Sequence, residues 1–403
     1  MRSLFTRAVG VPLATIFACQ AVLTMGAYSL PVIIPIAAPD LDVEPESVGF
    51  LVAVLYASAM MVGLTSGELL ARLGPTRVFQ LLLVLVGLGA AVLDLAFTGV
   101  AVLAAMFTGA ASGPMNPTGS YVLSRVAGPE IRALVFSLKQ CGTPLGGMMA
   151  GVMLPPLMLA AGWQTAVLAI PTIAAMLLLL VPFGGLGGPP PAATTRHSTI
   201  MDSVRALRLI WDDAGLRAVT LSGFGLSVCQ MGLATYLVVY LWQEVGYSPE
   251  QAGLVFASLH MSGIVSRVVL GVIADRLIAT RWVLVWLGII LSGAFGLILL
   301  LDSSWPLAGV YVVMAIAGAS GNGWVGLYFA ELARLSPPER VAEIAAGSQF
   351  VTYLGIVCGP ILFATLLKTL NSYQACFVLF GLLALTSGLY LAAARIDVRY
   401  RAG

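Results

Sequence analysis

The chain has 403 residues, of which 59% are hydrophobic and only 9% are charged, and its mean hydropathy is +0.98. This composition excludes a soluble globular protein and indicates an integral membrane protein. The net charge of +2 comes from scattered basic residues that do not interleave with aromatic side chains, so no nucleic-acid partner is expected.

Continuous apolar segments predict membrane-spanning helices along the whole chain. A helix needs about 20 residues to cross a hydrocarbon core about 30 Å thick. The segments do not alternate in period two, as the strands of a membrane barrel would. Twelve of them are near that length or longer: 12–37, 48–70, 78–97, 100–124, 133–160, 164–183, 216–243, 251–273, 282–301, 305–331, 345–368 and 372–394. We therefore expect an all-α membrane protein with twelve transmembrane helices.

An internal repeat divides these helices into two sets of six. Residues 45–77 are similar to residues 249–281, 204 positions later. Such a repeat is typical of carriers built from two pseudo-symmetric membrane-embedded halves. Identical pairs include Gly49 and Gly253, Leu55 and Leu259, Ser58 and Ser262, Gly67 and Gly271, Arg72 and Arg276, and Arg77 and Arg281. The predicted domains are an N-terminal bundle at 1–184, a cytoplasmic linker at 185–215 and a C-terminal bundle at 216–403.

The linker begins with glycines and prolines, and its later part, 199–211, has apolar residues at helical spacing among charged ones. This pattern favours a helix lying on the membrane surface. In the twelve-helix arrangement, 17 of the 20 Lys and Arg residues fall on one side of the membrane. The positive-inside rule then predicts that both termini are cytoplasmic and that the protein is a multi-pass component of the cell (inner) membrane.

No feature predicts cleavage, a metal or a cofactor. The first apolar run continues to about Ala37, which is long enough to span the membrane rather than serve as a signal peptide. The five cysteines all lie in apolar segments without a C-x-x-C pair, so neither a disulfide framework nor a metal site is expected.

Two short basic loops carry a recognisable signature. Gly271-Val-Ile-Ala-Asp-Arg276 is followed by Arg281, and the related run from Gly67 to Arg77 occupies the matching gap in the first half. Together with the length and the twelve spans, these loops resemble the signature of the major facilitator superfamily. The first copy has Ala71 where the family usually has Asp, so the resemblance gives more weight to Asp275. It implies alternating access with a cytoplasmic gate formed by Gly67, Arg72, Arg77, Gly271, Asp275 and Arg276; the alternative is that these charges only set the topology.

Two cations lie well inside predicted helices. Arg267 lies eight residues before Asp275, about 12 Å from the helix end, and Lys139 lies seven residues after Arg132, at a comparable depth. Burying such a charge costs about 3 kcal/mol on insertion scales, and a functional role is the default explanation. One cation in each half predicts a site for an anionic substrate near the membrane midplane. The alternative is that each side chain snorkels to the surface or binds backbone carbonyls.

The surroundings of these cations supply further candidates. The eighth predicted span, 251–273, contains Arg267 and is similar to the corresponding helix of monocarboxylate and oxalate carriers, in which the arginine faces an anionic substrate. The fifth predicted span, 133–160, contains Lys139 and resembles the corresponding helix of cyanate-permease-like members. His260 lies seven residues before Arg267 on the same helix face, where it would either couple a proton or serve as a packing residue. Polar or aromatic residues in the first, second, fourth, seventh and tenth predicted spans are candidates for lining the substrate cavity: Gln20, Tyr56, Asn116, Gln230, Asn322 and Trp324.

These features predict a secondary active transporter that moves a small organic anion, a carboxylate in the leading interpretation, by symport with protons. We expect it to be monomeric in the bilayer. No nucleotide-binding, zinc-protease or serine-hydrolase motif is present, so no enzymatic activity is expected. Two alternatives stay open: a proton-driven multidrug or metabolite efflux antiporter, and a membrane sensor on a transporter scaffold that binds its ligand without moving it.

Overall fold

The computed structural model describes residues 6–95, 99–187, 200–337 and 340–394. Within these ranges the chain forms helices and no strand, which confirms the all-α prediction. Two short 3-10 turns occur at Pro45–Ser47 and Val181–Phe183. The α-helices are α1 (Arg7–Leu41), α2 (Val48–Gly63), α3 (Ser66–Leu93), α4 (Val100–Ser112), α5 (Met115–Val126), α6 (Pro129–Gln140), α7 (Gly142–Leu180), α8 (Ile200–Asp212), α9 (Ala214–Gln243), α10 (Pro249–Arg276), α11 (Thr280–Ile298), α12 (Leu307–Leu335), α13 (Val341–Leu370) and α14 (Tyr373–Ala393).

Ten helical stretches of the described chain are individually long and apolar enough to cross a membrane. One of them, Leu134–Phe183, has 50 residues and would be about 75 Å long, more than twice the hydrocarbon thickness. Its backbone leaves the helical conformation at Ala161 and Gly162, so it comprises two successive crossings. Helices α4 and α5 are each short, and they continue one another across Gly113 and Pro114. The twelve predicted crossings are thus accounted for.

The described residues form two compact units. Unit 1 contains the described residues up to 187 together with Ser248–Ala257, the first turns of α10. Unit 2 contains residues 200–247 and the described residues from Ser258 onward. In unit 1, α1 packs along α7 and α2 packs against α4; in unit 2, α9 packs against α13 and α11 against α14.

The repeat identified in the sequence corresponds to one helix contact made once in each unit. In unit 1, the backbone of Gly109 on α4 lies against the carbonyl oxygen of Leu55 and the side chain of Ser58 on α2. In unit 2, the backbone of Gly318 on α12 lies against Leu259 and Ser262, the residues 204 positions after Leu55 and Ser58. Small residues allow such close helix approach in membranes, where apolar burial does not drive association.

The helix in the linker packs on protein. Ala206 and Ile210 on α8 are fully buried, and the backbone of Gly347 on α13 lies against both side chains. The expected helix is therefore present, and Ala206 and Ile210 contribute to packing within unit 2, whereas Trp211 on the same helix is half exposed. Asp213 ends the linker by accepting a hydrogen bond from the Leu216 N–H at 2.9 Å, which caps the amino end of α9.

Candidate functional site

Lys139 is buried in unit 1 near the carboxyl end of α6, with 2% of its surface exposed. Its Nζ donates to the backbone carbonyl of Asn116 at 3.1 Å and to the hydroxyl of Ser120 at 3.0 Å, both on α5. The lysine stem runs beside Gly119, where a Cβ would come within 3.1 Å of Lys139 Cε and 2.9 Å of Ile16 Cγ2. The small residue on α5 therefore provides the space in which the lysine side chain lies.

Within the described part of the chain, the Lys139 ammonium group donates hydrogen bonds only to neutral oxygen atoms. An ammonium has three protons to donate, and two of them are used by Asn116 and Ser120. The side-chain oxygen Oδ1 of Asn116 is buried and has no protein partner there. Buried polar groups are normally hydrogen-bonded, so this cluster retains donor and acceptor capacity that a bound polar molecule would use.

Gln20 lies on α1 next to this cluster. Its Nε2 donates to Thr143 Oγ1 at 2.7 Å and to Gln140 Oε1 at 3.3 Å, which joins α1 to the junction of α6 and α7. Its own Oε1 is buried without a partner among the described residues. We refer to Gln20, Asn116, Ser120, Lys139 and Thr143 as the lysine cluster.

A second polar network lies within unit 2. Gln230 on α9 donates from Nε2 to Asn322 Oδ1 at 2.8 Å, and its Oε1 accepts from Trp324 Nε1 at 3.0 Å. The indole N–H also lies 3.0 Å from the carbonyl of Gly321. The single amide of Gln230 thus orients two side chains of α12, both of them buried.

Arg267 joins this network from α10. Its Nε donates to the backbone carbonyl of Asn322 at 3.1 Å, and the side chain is partly exposed. The close approach depends on Gly263, where a Cβ would come within 2.7 Å of Asn322 Cβ. His260 lies two turns earlier on the same helix and is fully buried. We refer to Gln230, Arg267, Asn322 and Trp324 as the arginine cluster.

The two cations have no counterparts in the repeat. The counterpart of Lys139-Gln140 in the second half lies near Ser348-Gln349 on α13, which keeps the glutamine and lacks the charge. The Ser348 hydroxyl bonds to Tyr328 and to Thr220, the latter at 2.8 Å. The residue that corresponds to Arg267 is Gly63, the last residue of α2. Each unit therefore contains the helices that the two halves share, together with one cation that the other half lacks.

Sequence reasoning named most members of both clusters but missed several hydroxyl groups. Ser120 lies one helical turn after Asn116, a spacing that was available as a signal, whereas Thr143, Thr220 and Tyr328 are identified only by the three-dimensional packing. Glu331 was also missed; it is buried near the end of α12 and pairs with Arg334, which donates at 2.8 Å from Nε. Tyr56 lies on α2 and is partly exposed.

The predicted gate residues lie around the ends of α2, α3 and α10. Arg72 pairs with Glu68 at 2.5 Å on the surface of α3, and Arg276 is exposed. Added Cβ atoms at Gly67 and Gly271 would meet open space, so close packing does not require glycine at either position. The side chain of Asp275 lies outside the described residues.

Comparisons with known proteins agree with this architecture. A model of the Major Facilitator Superfamily matches residues 16–347. The 3-(3-hydroxy-phenyl)propionate transporter of Escherichia coli (strain K12) is 26% identical over 77% of this chain and 69% of its own length. The gentisate transporter of Corynebacterium glutamicum is 29% identical over 40% of this chain, and the match spans only about a third (35%) of that relative.

Solved structures give the same fold. A POT family transporter crystallised with 5-aminolevulinic acid superimposes with a TM-score of 0.74, covering 94% of both chains at 14% sequence identity. At that identity the likeness describes the fold alone. The twelve crossings, the repeated helix contact and the family match over most of the chain lead to one conclusion: the protein belongs to the Major Facilitator Superfamily and is a membrane transporter of that type.

Proposed function

We propose that the protein is a secondary active transporter that carries a small organic anion, an aromatic carboxylate, across the cell membrane without altering it chemically. It works by alternating access, in symport with protons, as a monomer with both termini in the cytoplasm. The observation that carries this proposal is Lys139, a buried cation within a membrane span whose described partners are a carbonyl and a hydroxyl.

The lysine cluster suits an anion because the Lys139 ammonium group has one proton left to donate and no acidic partner among the described residues. A buried charge without an opposite partner is costly, and neutral acceptors offset only part of that cost. A carboxylate in contact with Lys139 would supply the missing charge and a strong hydrogen bond. Gln20, on the adjacent face of α1, would orient the rest of the molecule.

The arginine cluster supports the same substrate class. A guanidinium group forms bidentate pairs with carboxylates, and the Nε of Arg267 is already fixed by the Asn322 carbonyl, which limits the rotamers of the side chain. Trp324 packs edge-on against Tyr328 with ring centroids 5.4 Å apart, and both rings are buried. In a state of the transport cycle that exposes them, aromatic rings beside a guanidinium group would favour an anion that carries an aromatic ring.

The two relatives narrow the substrate class further. Their names describe transporters of gentisate and of 3-(3-hydroxy-phenyl)propionate, and both compounds are hydroxylated aromatic carboxylates. We propose this class for the present chain. For proton coupling, we assign His260 as the candidate, because it is a titratable side chain two turns from Arg267 on the same helix.

Counterflow in proteoliposomes tests the proposal. Vesicles are loaded with unlabelled gentisate or 3-(3-hydroxy-phenyl)propionate, and entry of the labelled compound is measured. We expect exchange with the wild-type protein, loss of exchange with Lys139→Met, and wild-type exchange with Lys368→Met, which removes an exposed lysine at the end of α13. A pH gradient across the membrane should drive net uptake if protons are coupled.

Three outcomes would contradict the proposal. Exchange of cationic drugs instead of aromatic acids would favour the efflux alternative. Saturable binding without exchange would favour the sensor. Full exchange by a folded Lys139→Met variant would remove the observation on which the anion assignment depends.

A further inference from the structure

Two arginines that correspond in the repeat have different surroundings. Arg281, at the start of α11, donates from Nη2 to the backbone carbonyls of Leu391 and Ala392 at 2.8 Å and of Ala394 at 2.6 Å. A cation at the carboxyl end of a helix satisfies unpaired carbonyls and interacts favourably with the helix dipole. The hydrogen-bonding capacity of Arg281 is thus largely used within unit 2.

Arg77, 204 positions earlier, has no such role. Among the described residues it has no hydrogen-bond or ion-pair partner, and it lines a surface cavity of about 350 Å³ in unit 1. We call this the Arg77 cavity. Its polar lining comes from Arg72, Thr76, Arg77 and Gln80, and its apolar lining includes Leu73 and Pro182.

The Arg77 cavity is electropositive. No acidic residue is among those that line it. Arg72 pairs with Glu68 nearby, but both side chains are exposed and such a pair contributes little. The helix resumes after Gly74 with Pro75 at its first position, and the amino end of a helix favours anions. The guanidinium groups, the Thr76 hydroxyl and the Gln80 amide provide hydrogen-bond donors beside this helix start.

We propose that the Arg77 cavity binds a phosphate group. Planar guanidinium groups match the oxygens of a phosphate in a forked geometry, and phosphate oxygens also accept from hydroxyl and amide donors. Arg77 offers its full set of donors, whereas its counterpart Arg281 is engaged by carbonyls. Arg72 and Arg77 are also predicted gate residues, so the test of this site measures phosphate binding and not transport.

The phosphate has two chemical sources, a phospholipid headgroup or free phosphate in solution. Leu73 and Pro182 give the cavity an apolar part, and Phe183, the residue after Pro182, is 81% exposed. These apolar residues favour a phospholipid, whose acyl chains would contact them while its phosphate contacts the arginines. The orientation predicted from the basic residues would place the cavity at the cytoplasmic leaflet, which carries the anionic lipids. The experiment separates the two sources.

The full-length protein is purified and reconstituted into nanodiscs of phosphatidylcholine containing a minor fraction of phosphatidylglycerol. Native mass spectrometry then measures which lipid stays bound. In a second arm, inorganic phosphate is titrated against the protein in a maltoside detergent, which carries no phosphate group, and the midpoint of thermal unfolding is followed. Arg77→Gln is compared with wild type and with Arg125→Gln, which removes an exposed arginine that bonds Tyr121 outside the cavity.

We expect wild type to retain phosphatidylglycerol selectively and Arg77→Gln to lose about tenfold in apparent affinity, the effect of one charge-assisted contact. Arg125→Gln should match wild type. Stabilisation by inorganic phosphate without lipid selectivity would support the site and identify free phosphate as its source. Equal behaviour of Arg77→Gln and wild type in both arms would overturn the proposal. If Arg77→Gln does not fold, Gln80→Leu gives the same comparison.

Discussion

The backbone of Gly318 lies directly against the carbonyl oxygen of Leu259, so that a Cβ at position 318 would overlap that oxygen and the hydroxyl of Ser262. The same contact joins Gly109 to Leu55 in the other unit. Because backbone atoms form most of this contact, the neighbouring helix must shift to accept even one methyl group. The contact therefore sets the distance between α10 and α12.

Gly318→Ala should destabilise the protein by about 1–3 kcal/mol, the usual effect of forcing an extra methyl group into a packed interface. Gly326→Ala is the matched control on the same helix, because a Cβ at position 326 meets open space. Alanine is a better helix former than glycine, so the control should be neutral or slightly stabilising. The apparent melting temperature of the purified variants checks this, and equal values for the two would contradict the packing argument.

Gly74→Ala tests the conformation of the loop that precedes the third crossing. Gly74 has φ 72° and ψ 163°, a region that residues with a Cβ rarely adopt. The substitution should cost about 1–3 kcal/mol through backbone strain alone, since a Cβ there meets no neighbouring atom. Gly67→Ala, seven residues earlier and equally unobstructed but without a positive φ, is the control.

The melting temperatures of both variants in detergent measure the effect of backbone strain on stability, separately from any effect on transport. Gly67 is a predicted gate residue and Gly74 lies between the gate residues Arg72 and Arg77, so transport should be measured beside stability. If Gly74→Ala has the same melting temperature as the wild type, the positive φ at Gly74 is not required for the fold.

The helices were predictable because continuous apolar segments of membrane length have few alternative structures, and the repeat at Leu55 and Leu259 divided them into two halves. The break between α4 and α5 was not predicted, since 100–124 reads as one continuous apolar span; Gly113 and Pro114 account for it, because both residues weaken a helix. The packing of α8 could not be foreseen, because an amphipathic helix suits a membrane surface as well as a protein groove. The contact of Ala206 and Ile210 with Gly347 on α13 is known only from the three-dimensional packing.

The candidate site was partly predictable for a related reason. Charged and amide side chains within apolar helices stand out in a sequence, and Lys139, Arg267, Gln230 and Asn322 were identified in that way. Their hydrogen-bond partners depend on helix rotation and on the path of neighbouring backbones. Ser120, a common residue on a helix, becomes notable only because Lys139 Nζ lies 3.0 Å from its hydroxyl.

Trp324→Phe tests the arginine cluster without removing an aromatic ring. The change deletes the indole N–H that donates to Gln230 Oε1 at 3.0 Å, while most of the packing against Tyr328 remains. Leaving the acceptor of the partly buried Gln230 unsatisfied should cost up to about 3 kcal/mol. We expect a lower melting temperature and weaker substrate binding, because Gln230 also orients Asn322.

Trp286→Phe provides the control, because Trp286 on α11 is half exposed and lies outside the arginine cluster. It should behave as wild type in both measurements. A loss of stability in Trp324→Phe no larger than that of the control would mean that the Gln230 amide does not depend on the indole.

Arg267→Ala should abolish uptake of aromatic carboxylates while the protein still folds, because a partly exposed side chain contributes little to packing and its guanidinium is the proposed anion contact. Arg267→Lys retains the charge but loses the forked geometry and the Nε donor to Asn322, so we expect weakened uptake that reappears at high substrate concentration. Arg208→Ala, at an exposed position of α8, is the matched control. Uptake is measured in proteoliposomes, and size-exclusion elution shows whether each variant is folded. A folded Arg267→Ala variant that transports with wild-type affinity would exclude Arg267 from the substrate site. Lys139 would then be the remaining candidate for the anion contact.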